Sequence, residues 1–444
     1  MKSNKVKLFF LTIIFFGVFG ITESSRAATI NVVDASGQPS CQQVDVQRTI
    51  DAASSGDIIA IPAGDCAWGA DRTYLSVNKA ITLQGAGQGQ TIITLSDTGG
   101  IWTNAVIRIS AAATVKSMTI NGSSANPVAA FSTGAVNGWR ITDIDFNGGN
   151  GAGYFVYVGN VYGLIDNNNI STGAFAELIF ARGPSNSWQT ADSIGGENNL
   201  FIENNIFNGP GQVADCNSNS RCVIRYNIIN GAMKADGHGL ASNSPPRGVR
   251  HMEIYNNLWT YSSGTGSWRA MEIRGGTGRI FNNIIQSTVL GGSLGLTDYC
   301  YTSNGFGNCG GETDHCNCPG NYPVTDQIGV GIDPKSAGSE PYYLWNNTKG
   351  GSPVAITWSS TSVCAAVCGV SFTLPDVIQS GVDYFMSDTK DPPAGMPVYN
   401  TYACPHPLAG LTGRCDSDIS GISGYNVNIS DATPPAPPSG LTVN

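Results

Sequence analysis

The sequence predicts an all-β solenoid, in which the chain winds into a parallel β-helix of stacked coils. A short phrase recurs at 202–206, 224–228, 254–258 and 280–284: an aliphatic residue, two others, an asparagine and another aliphatic residue. Segments rich in Gly, Ser, Asn and Thr separate the copies, which favours strands joined by turns. Only 12% of the 444 residues are charged and 41% are hydrophobic. This composition excludes intrinsic disorder and disfavours a helix bundle.

The asparagines of this phrase recur at related steps along the chain. With two less regular copies included, they are Asn147, Asn169, Asn205, Asn227, Asn257 and Asn283. The steps of 22, 36, 22, 30 and 26 residues fit coils of about three short strands, with loop insertions where the step is long. Stacked coils pair each strand with its copies about 4.8 Å above and below. Asn tolerates left-handed backbone and its amides can bond one another in a stack, so we predict a structural asparagine ladder.

The first 27 residues predict a secretory signal peptide. Lys2, Lys5 and Lys7 precede an apolar run at 8–19, and Ser-Arg-Ala follows at 25–27, the order typical of such peptides. The apolar run is shorter than the roughly 20 residues that span a bilayer. Cleavage would remove four basic residues and one acidic residue, which changes the formal net charge from −9 to −12. The sequence therefore predicts a secreted, acidic, monomeric protein with no membrane span and no nucleic-acid partner.

The twelve cysteines fit an exported protein, because thiols outside the cytosol usually form disulfides. Close spacing predicts the pairs Cys41–Cys66, Cys216–Cys222, Cys364–Cys368 and Cys404–Cys415. A further cluster could also be interpreted as a zinc site; it contains Cys300, Cys309, His315, Cys316 and Cys318. Its Cys-x-Cys spacing lacks the two-residue gap usual in zinc sites, so disulfides are the favoured interpretation.

The N-terminal part adds a resemblance to a known superfamily. A short helical segment at 46–53 precedes the strand phrase Gly-Asp-Ile-Ile-Ala-Ile-Pro-Ala-Gly at 56–64 and the glycine-rich strand phrase at 80–93. This order resembles the opening of right-handed parallel β-helix proteins of the pectin-lyase-like superfamily. The resemblance implies a right-handed parallel β-helix over 28–430, with an N-terminal capping helix and loop insertions. Lyases, hydrolases, esterases and adhesins share this fold, so the resemblance implies no single activity.

The last residues differ in kind from the rest. Residues 431–444 are rich in proline, which favours an extended chain. We predict either a linker or the truncated start of a further module there.

Positive charge is concentrated in one stretch of this acidic chain. Residues 221–279 hold eight basic and three acidic residues together with two histidines. Such a concentration can hold a polyanion, but the cations can equally be paired with acids. Glu203 and Arg225, for example, occupy equivalent positions of successive copies and are predicted to face each other. The stretch therefore predicts either a functional basic face or a set of ion pairs.

The distance from each ladder asparagine predicts which side chains share a face. Asp215, His238 and Arg269 lie 10, 11 and 12 residues after successive ladder asparagines. Residues at similar phase stack on one face, one strand spacing apart. Asp192 lies 23 residues before Asp215 and is predicted to lie above them. One groove is therefore predicted to hold four catalytic candidates, namely Asp192, Asp215, His238 and Arg269.

Local phrases near these residues are similar to those of polygalacturonases. Gly-His-Gly-Leu at 237–240 matches a phrase of that family, and Arg-Gly-Gly-Thr-Gly at 274–278 sits where the family carries an Arg-x-Lys substrate clamp. Asp192 and Asp215 fall near its catalytic aspartates in order and spacing. The match is partial: an alanine precedes Asp215 where the family has adjacent aspartates, and a glycine replaces the clamp lysine. These departures weaken the case for inverting hydrolysis.

Cations and one aromatic ring are the candidates for substrate binding, namely Lys234, Arg247, Arg250, Arg274 and Trp268. β-Elimination from a uronic acid needs a base and a cation that stabilises the enolate. These residues and His238 can supply both. No cofactor is required, although Ca²⁺ held by carboxylates is an option, and no metal ligands are assigned.

The sequence thus predicts a secreted protein that binds an extracellular polysaccharide. The leading hypothesis is cleavage of a uronate-containing, pectin-like glycan by β-elimination or hydrolysis. The alternative is a non-catalytic surface or adhesion protein, in which the proline-rich tail links to anchoring modules. Whether the protein is an enzyme stays open at this point.

Overall fold

The structure, a computed structural model, shows a right-handed parallel β-helix, as predicted. It describes residues 27–412 except 71–72, 97–104, 123–128, 135, 149–153, 160–161, 240–247, 261–268, 290, 298–327, 333–337, 359–372 and 377. Residues 1–26 of the predicted signal peptide, the proline-rich tail and the cluster at 300–318 lie outside the described residues.

The N-terminal end of the solenoid is closed by α1 (Gln43–Ala52). This helix packs against strands of the first coil, and its Val46 and Ile50 side chains are fully buried. Residues four apart lie on one side of a helix, so this side covers the apolar interior. The predicted capping helix is confirmed.

Each coil contributes strands to three faces. The first face contains β1 (Thr29–Asn31), β2 (Ile58–Ala60), β5 (Thr82–Gln84), β8 (Thr114–Asn121), β10 (Trp139–Asn147), β12 (Gly163–Asp166), β16 (Leu200–Glu203), β19 (Arg221–Arg225), β22 (His251–Tyr255), β25 (Thr277–Phe281), β28 (Tyr342–Trp345) and β32 (Tyr384–Ser387). The second face contains the ends of β8 and β10 with β3 (Gly64–Trp68), β6 (Thr91–Leu95), β13 (Asn169–Ser171), β17 (Ile206–Asn208), β20 (Ile228–Asn230), β23 (Leu258–Thr260), β26 (Ile284–Ile285), β29 (Thr348–Lys349) and β30 (Ser352–Pro353).

The third face carries the candidate site. It contains β4 (Leu75–Val77), β7 (Ile107–Ile109), β9 (Phe131–Thr133), β11 (Val156–Val158), β14 (Ala176–Glu177), β15 (Ile179–Ala181), β18 (Gly211–Cys216), β21 (Met233–Gly237), β24 (Met271–Ile273), β27 (Leu294–Leu296) and β31 (Ile356–Trp358). Within the described parts of the chain, 3-10 helices lie in the loops at Ser187–Gln189, Leu374–Asp376 and Pro407–Thr412. None of the helices among the described residues is long and apolar enough to cross a membrane.

Successive coils stack in parallel and in register. Ile202 pairs with Ile224, Ile224 with Ile254, and Ile254 with Ile280. All four side chains are fully buried. The first aliphatic residue of each copy of the phrase therefore stacks on the next copy in the core. Among the described strands, one pairing is antiparallel, between β29 and β30.

The asparagine ladder is present at the bend between the first and second faces. Its buried members are Asn168, Asn205, Asn227, Asn257, Asn283 and Asn347. Each donates its amide Nδ2–H to Oδ1 of the next, at N–O distances from 2.8 to 3.1 Å. The same Oδ1 atoms accept the backbone N–H of the preceding member. The ladder therefore satisfies buried polar groups that the bend removes from the strand pairing.

Two of the predicted ladder members are wrong. Asn168 continues the ladder in place of Asn169, which instead donates to Asp145 at 2.9 Å on the outside. Asn147 lies exposed at the end of β10. Left-handed backbone falls on the residue before the ladder asparagine, as at Tyr226 (φ 57°). The ladder position therefore requires the carboxamide and not a positive φ.

Replacing Asn227 by alanine is expected to lower the free energy of unfolding by about 2–3 kcal/mol. The carboxamide bonds Asn205, Asn257 and the backbone oxygens of Ile202 and Arg225, and each buried group left unpaired costs about 1–3 kcal/mol. Guanidinium unfolding of both proteins measures the loss.

The matched control for this change is Asn230→Ala, on a half-buried amide outside the ladder that donates to Asn208 and accepts from Thr260. It should cost less than about 1 kcal/mol. Equal losses for the two variants would contradict a special role of the ladder.

The outer side of the first face is covered by the C-terminal strap, residues 396–409. Aromatic side chains of this face, including stacked Phe281 and Trp345, pack against Tyr399 and Tyr402 of the strap. Arg225 is fully buried between them. Its guanidinium pairs with Glu203 and donates to the strap oxygens of Tyr402 and Ala403 at 2.8 and 2.9 Å. The predicted pairing of Glu203 with Arg225 is confirmed.

Two of the four predicted disulfides are present, Cys41–Cys66 and Cys216–Cys222. Cys404 is disulfide-bonded as well, while its predicted partner Cys415 lies outside the described residues. The predicted pair Cys364–Cys368 also lies outside them.

Candidate active site

Three carboxylic acids stack on the outer side of the third face. Asp215 in β18 pairs in register with Asp236 in β21, which pairs with Glu272 in β24. Their chain neighbours Ala214, Ala235 and Ile273 belong to the core, and strand side chains alternate between the two sides. The three carboxyl groups, the acidic file, therefore point away from the core on successive coils.

Asp236, in the middle of the acidic file, is held as a carboxylate by two cations. Its Oδ2 lies 2.9 Å from Lys234 Nζ, and its Oδ1 accepts from Arg274 Nε at 3.0 Å. Arg274 also donates through Nη2 to Oδ2, which makes the contact bidentate. Burial alone would raise the pKa of Asp236, but Arg274 and Lys234 outweigh it and hold the pKa below its ordinary value.

Asp215 has the opposite environment. Its side chain is buried, and Oδ1 has no hydrogen-bond partner among the described residues. Its Oδ2 has a long contact of 3.4 Å with Asn217 Nδ2. Burial and the neighbouring charge of Asp236 raise the pKa of Asp215 to about 7. The pKa of Asp215 is thus raised and that of Asp236 on the adjacent coil is lowered. This pattern is typical of a proton donor beside an ionised partner.

His238 follows β21 at the edge of this site. Its Nδ1 lies 2.9 Å from the carbonyl oxygen of Gly239, so the neutral ring donates through Nδ1 and carries its lone pair on Nε2. Burial and the charge of Arg274 lower the pKa of His238 to about 4. The imidazole is therefore neutral near pH 7 and can act as a base.

The edge of the site is more exposed. Glu272 accepts from Lys234 Nζ at 2.8 Å and from Arg269 Nη1 at 2.9 Å. The Arg269 and Glu272 side chains are 18% and 12% exposed, whereas Lys234 and Arg274 are buried. Arg269 is therefore the cation of this group that a solvent-borne anion meets first.

A pair of aromatic rings continues the line of the acidic file toward the N-terminus. Tyr157 pairs with Phe180, and Phe180 pairs with Asp215. The two rings stack at 5.4 Å with an interplanar angle of 11°. Phe180 is buried and Tyr157 is half-buried, so Tyr157 is the ring of this pair that can meet the apolar face of a sugar.

Glu177 adds a fourth carboxyl group beside Asp215. It is half-buried and accepts from Tyr154 Oη at 3.0 Å. Burial and the charge of Asp215 raise the pKa of Glu177 above its ordinary value. The group can therefore hold a proton close to Asp215.

The predicted alignment of the site residues across neighbouring strands is wrong, by two residues at His238 and by three at Arg269. Asp215 was expected to align with His238 and Arg269, but Asp236 and Glu272 occupy the positions in register. An irregularity between Gln212 and Ala214 shifts the register of β18 against β21, so counting from the ladder asparagine misses the true partner. His238 and Arg269 remain close to the acidic file.

The prediction that Asp192 lies in the same groove is wrong. Asp192 lies in the loop before β16 and contacts Nδ1 of His251 on the outer side of the first face. Arg250 is on that face too, where its two Nη atoms bind Glu340 at 2.6 and 3.0 Å. The loop folds back over the first face, which no spacing rule indicates.

The basic stretch resolves mainly into ion pairs. Arg225, Lys234, Arg250, Arg269 and Arg274 each pair with an acid. These pairs are divided between the first and third faces, so the stretch does not form one common basic face. Arg247 and Trp268 lie outside the described residues.

Asp236, Glu272 and Glu177 were missed as site residues. One signal was available: Ala-Asp recurs at 214–215 and 235–236, a 21-residue step close to the coil period. Within the described ranges, no group of three or more His, Cys, Asp or Glu side chains is arranged to hold a metal ion. Calcium use stays a prediction.

Comparisons with known proteins concern the fold. No protein-family model matches the chain, and no curated protein does. The chain is similar to the tailspike protein of E. coli bacteriophage HK620 in complex with a pentasaccharide (11% identity, 76% of this chain and 67% of that one, TM-score 0.41). It is also similar to the A-module of an Azotobacter vinelandii mannuronan C-5 epimerase (16%, 81% and 93%, 0.36) and to a pectin methylesterase in complex with a hexasaccharide (10%, 78% and 98%, 0.36). All three are parallel β-helix proteins that bind or modify carbohydrates.

Proposed function

We propose that this protein is a secreted polysaccharide hydrolase whose site is the outer third face. The observation that carries the proposal is the pair Asp215 and Asp236 on adjacent coils, with pKa values displaced in opposite directions. Glycosidic hydrolysis uses such a pair, in which one carboxyl group protonates the leaving oxygen and the other stays ionised. Asp215 is the proton donor and Asp236 the ionised partner.

The spacing of the pair favours a double displacement. Paired strands lie about 4.8 Å apart, which is nearer to the roughly 5–5.5 Å between carboxyl groups of retaining enzymes than to the roughly 6.5–9.5 Å of inverting ones. Asp236 has no exposed surface and both its oxygens contact cations, so the attack requires the bound sugar to reach that carboxylate. Asp215 then gives its proton to the glycosidic oxygen as Asp236 bonds to the anomeric carbon and the leaving sugar departs. Water, deprotonated by Asp215, then breaks the glycosyl–Asp236 bond and restores both carboxyl groups.

The surroundings of the pair support a uronate-containing substrate. Arg269, partly exposed at the edge, can bind a sugar carboxylate, and Arg274 and Lys234 limit the negative potential of the acidic file. The half-buried Tyr157 ring, held in place by its stack on Phe180, can contact a neighbouring sugar ring. Substrate therefore lies along the solenoid axis, crossing successive coils.

A second candidate is β-elimination, favoured by the neutral His238 imidazole. A ring with a lowered pKa can take the proton beside a uronate carboxylate while Arg269 or Arg274 stabilises the enolate.

A non-catalytic adhesion protein is the remaining alternative. Incubation with pectic, alginate and glycosaminoglycan polymers separates the three: the hydrolase releases saturated reducing ends, the lyase unsaturated ends, and the adhesin retains the polymer uncut. Release of no ends from any polymer would overturn the proposal.

The rate of cleavage is expected to fall as the pH rises through about 7. Asp215 must carry its proton to act as the acid, and its pKa of about 7 sets the alkaline limb. Because the pKa of Asp236 is lowered, its carboxyl group stays ionised in mildly acidic solution, and activity should persist there. A pH profile of reducing-end release tests this; a rate that stays constant from pH of about 6 to about 9 contradicts Asp215 as the acid.

A further inference from the structure

A cavity of about 230 Å³ opens on the outer side of the first face, away from the acidic file. Its lining includes Asp192, Thr277, Arg279, Glu340 and Tyr343. Since water occupies about 30 Å³ per molecule in the liquid, the cavity has room for roughly seven waters. That is a space for a small ligand and not for a polymer.

Arg279 is the buried cation of this cavity, and the nearby charges of Asp192 and Glu253 attract it without forming an ion pair. Its side chain is 7% exposed, and its Nη1 donates to the carbonyl oxygens of Gly278 and Pro341 at 2.9 and 3.4 Å. Among the described residues, no acid forms an ion pair with Arg279, and its buried Nε has no hydrogen-bond partner. The Tyr343 ring lies 4.5 Å from the guanidinium, but a buried charge with no ion-pair partner is still costly, so this position favours an anion.

The two acids that line the cavity beside Arg279 have other partners. Asp192 Oδ1 accepts from the backbone N–H of Ser193 at 2.8 Å and contacts His251 Nδ1. Both oxygens of Glu340 accept from Arg250. Arg250 balances the charge of Glu340, and the oxygens of both acids can still accept from ligand hydroxyl groups.

We infer that this cavity binds a small hydroxylated carboxylate about the size of one sugar ring. The ligand carboxylate pairs with Arg279, and ligand hydroxyl groups donate to Asp192 and Glu340. Burial lowers the pKa of Arg279, and an anionic ligand would oppose this shift. The inference does not depend on the proposed cleavage, because it concerns a different face and different residues.

Titration calorimetry with D-galacturonic acid, D-galactose and acetate tests the inference on the full protein. Galacturonic acid is expected to bind at least about 10-fold more tightly than the other two, since galactose lacks the carboxylate and acetate lacks the hydroxylated ring. A charge-assisted bond of about 1.4 kcal/mol accounts for that ratio. Equal affinity for galacturonic acid and galactose, or no binding of galacturonic acid, would overturn the inference.

Three variants locate the binding. Arg279→Gln should remove the preference for galacturonic acid, and Ser339→Phe, at an exposed lining residue, should block the cavity while Arg279 stays in place. Asp215→Asn should bind galacturonic acid as wild type does. Retained preference in both first-face variants, or loss of binding in Asp215→Asn alone, would place the ligand elsewhere. These outcomes are independent of whether polymer is cleaved.

Discussion

Replacing Asp215 by asparagine is expected to lower the rate of polysaccharide cleavage by about 10²–10⁴-fold, the usual contribution of a positioned general acid. The amide has the shape of the carboxyl group but cannot supply the proton. Reducing-end release at saturating polymer measures the loss. Asp65→Asn, on an exposed carboxyl of the second face, is the matched control and should leave the rate unchanged.

The same variant should not be less stable than wild type. Because folding raises the pKa of Asp215 from 3.8 to about 7, its carboxyl group opposes folding increasingly as the pH rises between these two values, and in full above about 7. The amide lacks this penalty, so at pH 8 the free energy of unfolding should equal or exceed that of wild type. A variant that loses activity together with stability would indicate that Asp215 supports the fold and not the reaction.

Replacing Arg225 by methionine is expected to lower the free energy of unfolding by about 3–5 kcal/mol. The change leaves Glu203 buried without its cation, the situation in which breaking an ion pair is most costly. It also removes the bonds to Tyr402 and Ala403, so the C-terminal strap should become more sensitive to proteolysis. Guanidinium unfolding and limited proteolysis measure the two effects.

An exposed ion pair provides the control for this change. Arg48 pairs with Asp45 at 2.8 Å, but its side chain is 50% exposed. Arg48→Met should therefore cost at most about 1 kcal/mol. The double change Arg225→Met with Glu203→Gln should recover part of the lost stability, because no unpaired charge then remains buried. A double variant as unstable as the sum of both single changes would contradict this account.

The repeat of the fold could be predicted because the core repeats in the sequence. Ile202, Ile224 and Ile254 mark successive coils, and the buried Glu203–Arg225 pair follows from the same register. Asn169 was predicted in place of Asn168 because Asn169 stands where the other copies have an aliphatic residue; the register places Asn168 three residues after Ile165, as Asn205 lies three residues after Ile202. A count of residues along the sequence does not show which asparagine makes the hydrogen bonds of the ladder.

The site was predicted only in part, for two physical reasons. An irregularity of one residue in β18 changed which aspartate faces Asp215, so Asp236 was missed although His238 two residues later was found. Asp192 was misplaced because its loop folds onto His251, 59 residues further along the chain. Ion pairs such as Arg250–Glu340, 90 residues apart, are equally invisible to local patterns.

The masses of the products from a uronate polymer test the central claim most directly. Hydrolysis by Asp215 and Asp236 adds one water per cleaved bond, so wild type is predicted to release saturated fragments only. Asp236→Asn is predicted to release none above the level of Asp215→Asn. Unsaturated fragments, each lacking one water, or saturated fragments at an undiminished rate from Asp236→Asn would contradict the assignment of the carboxyl pair.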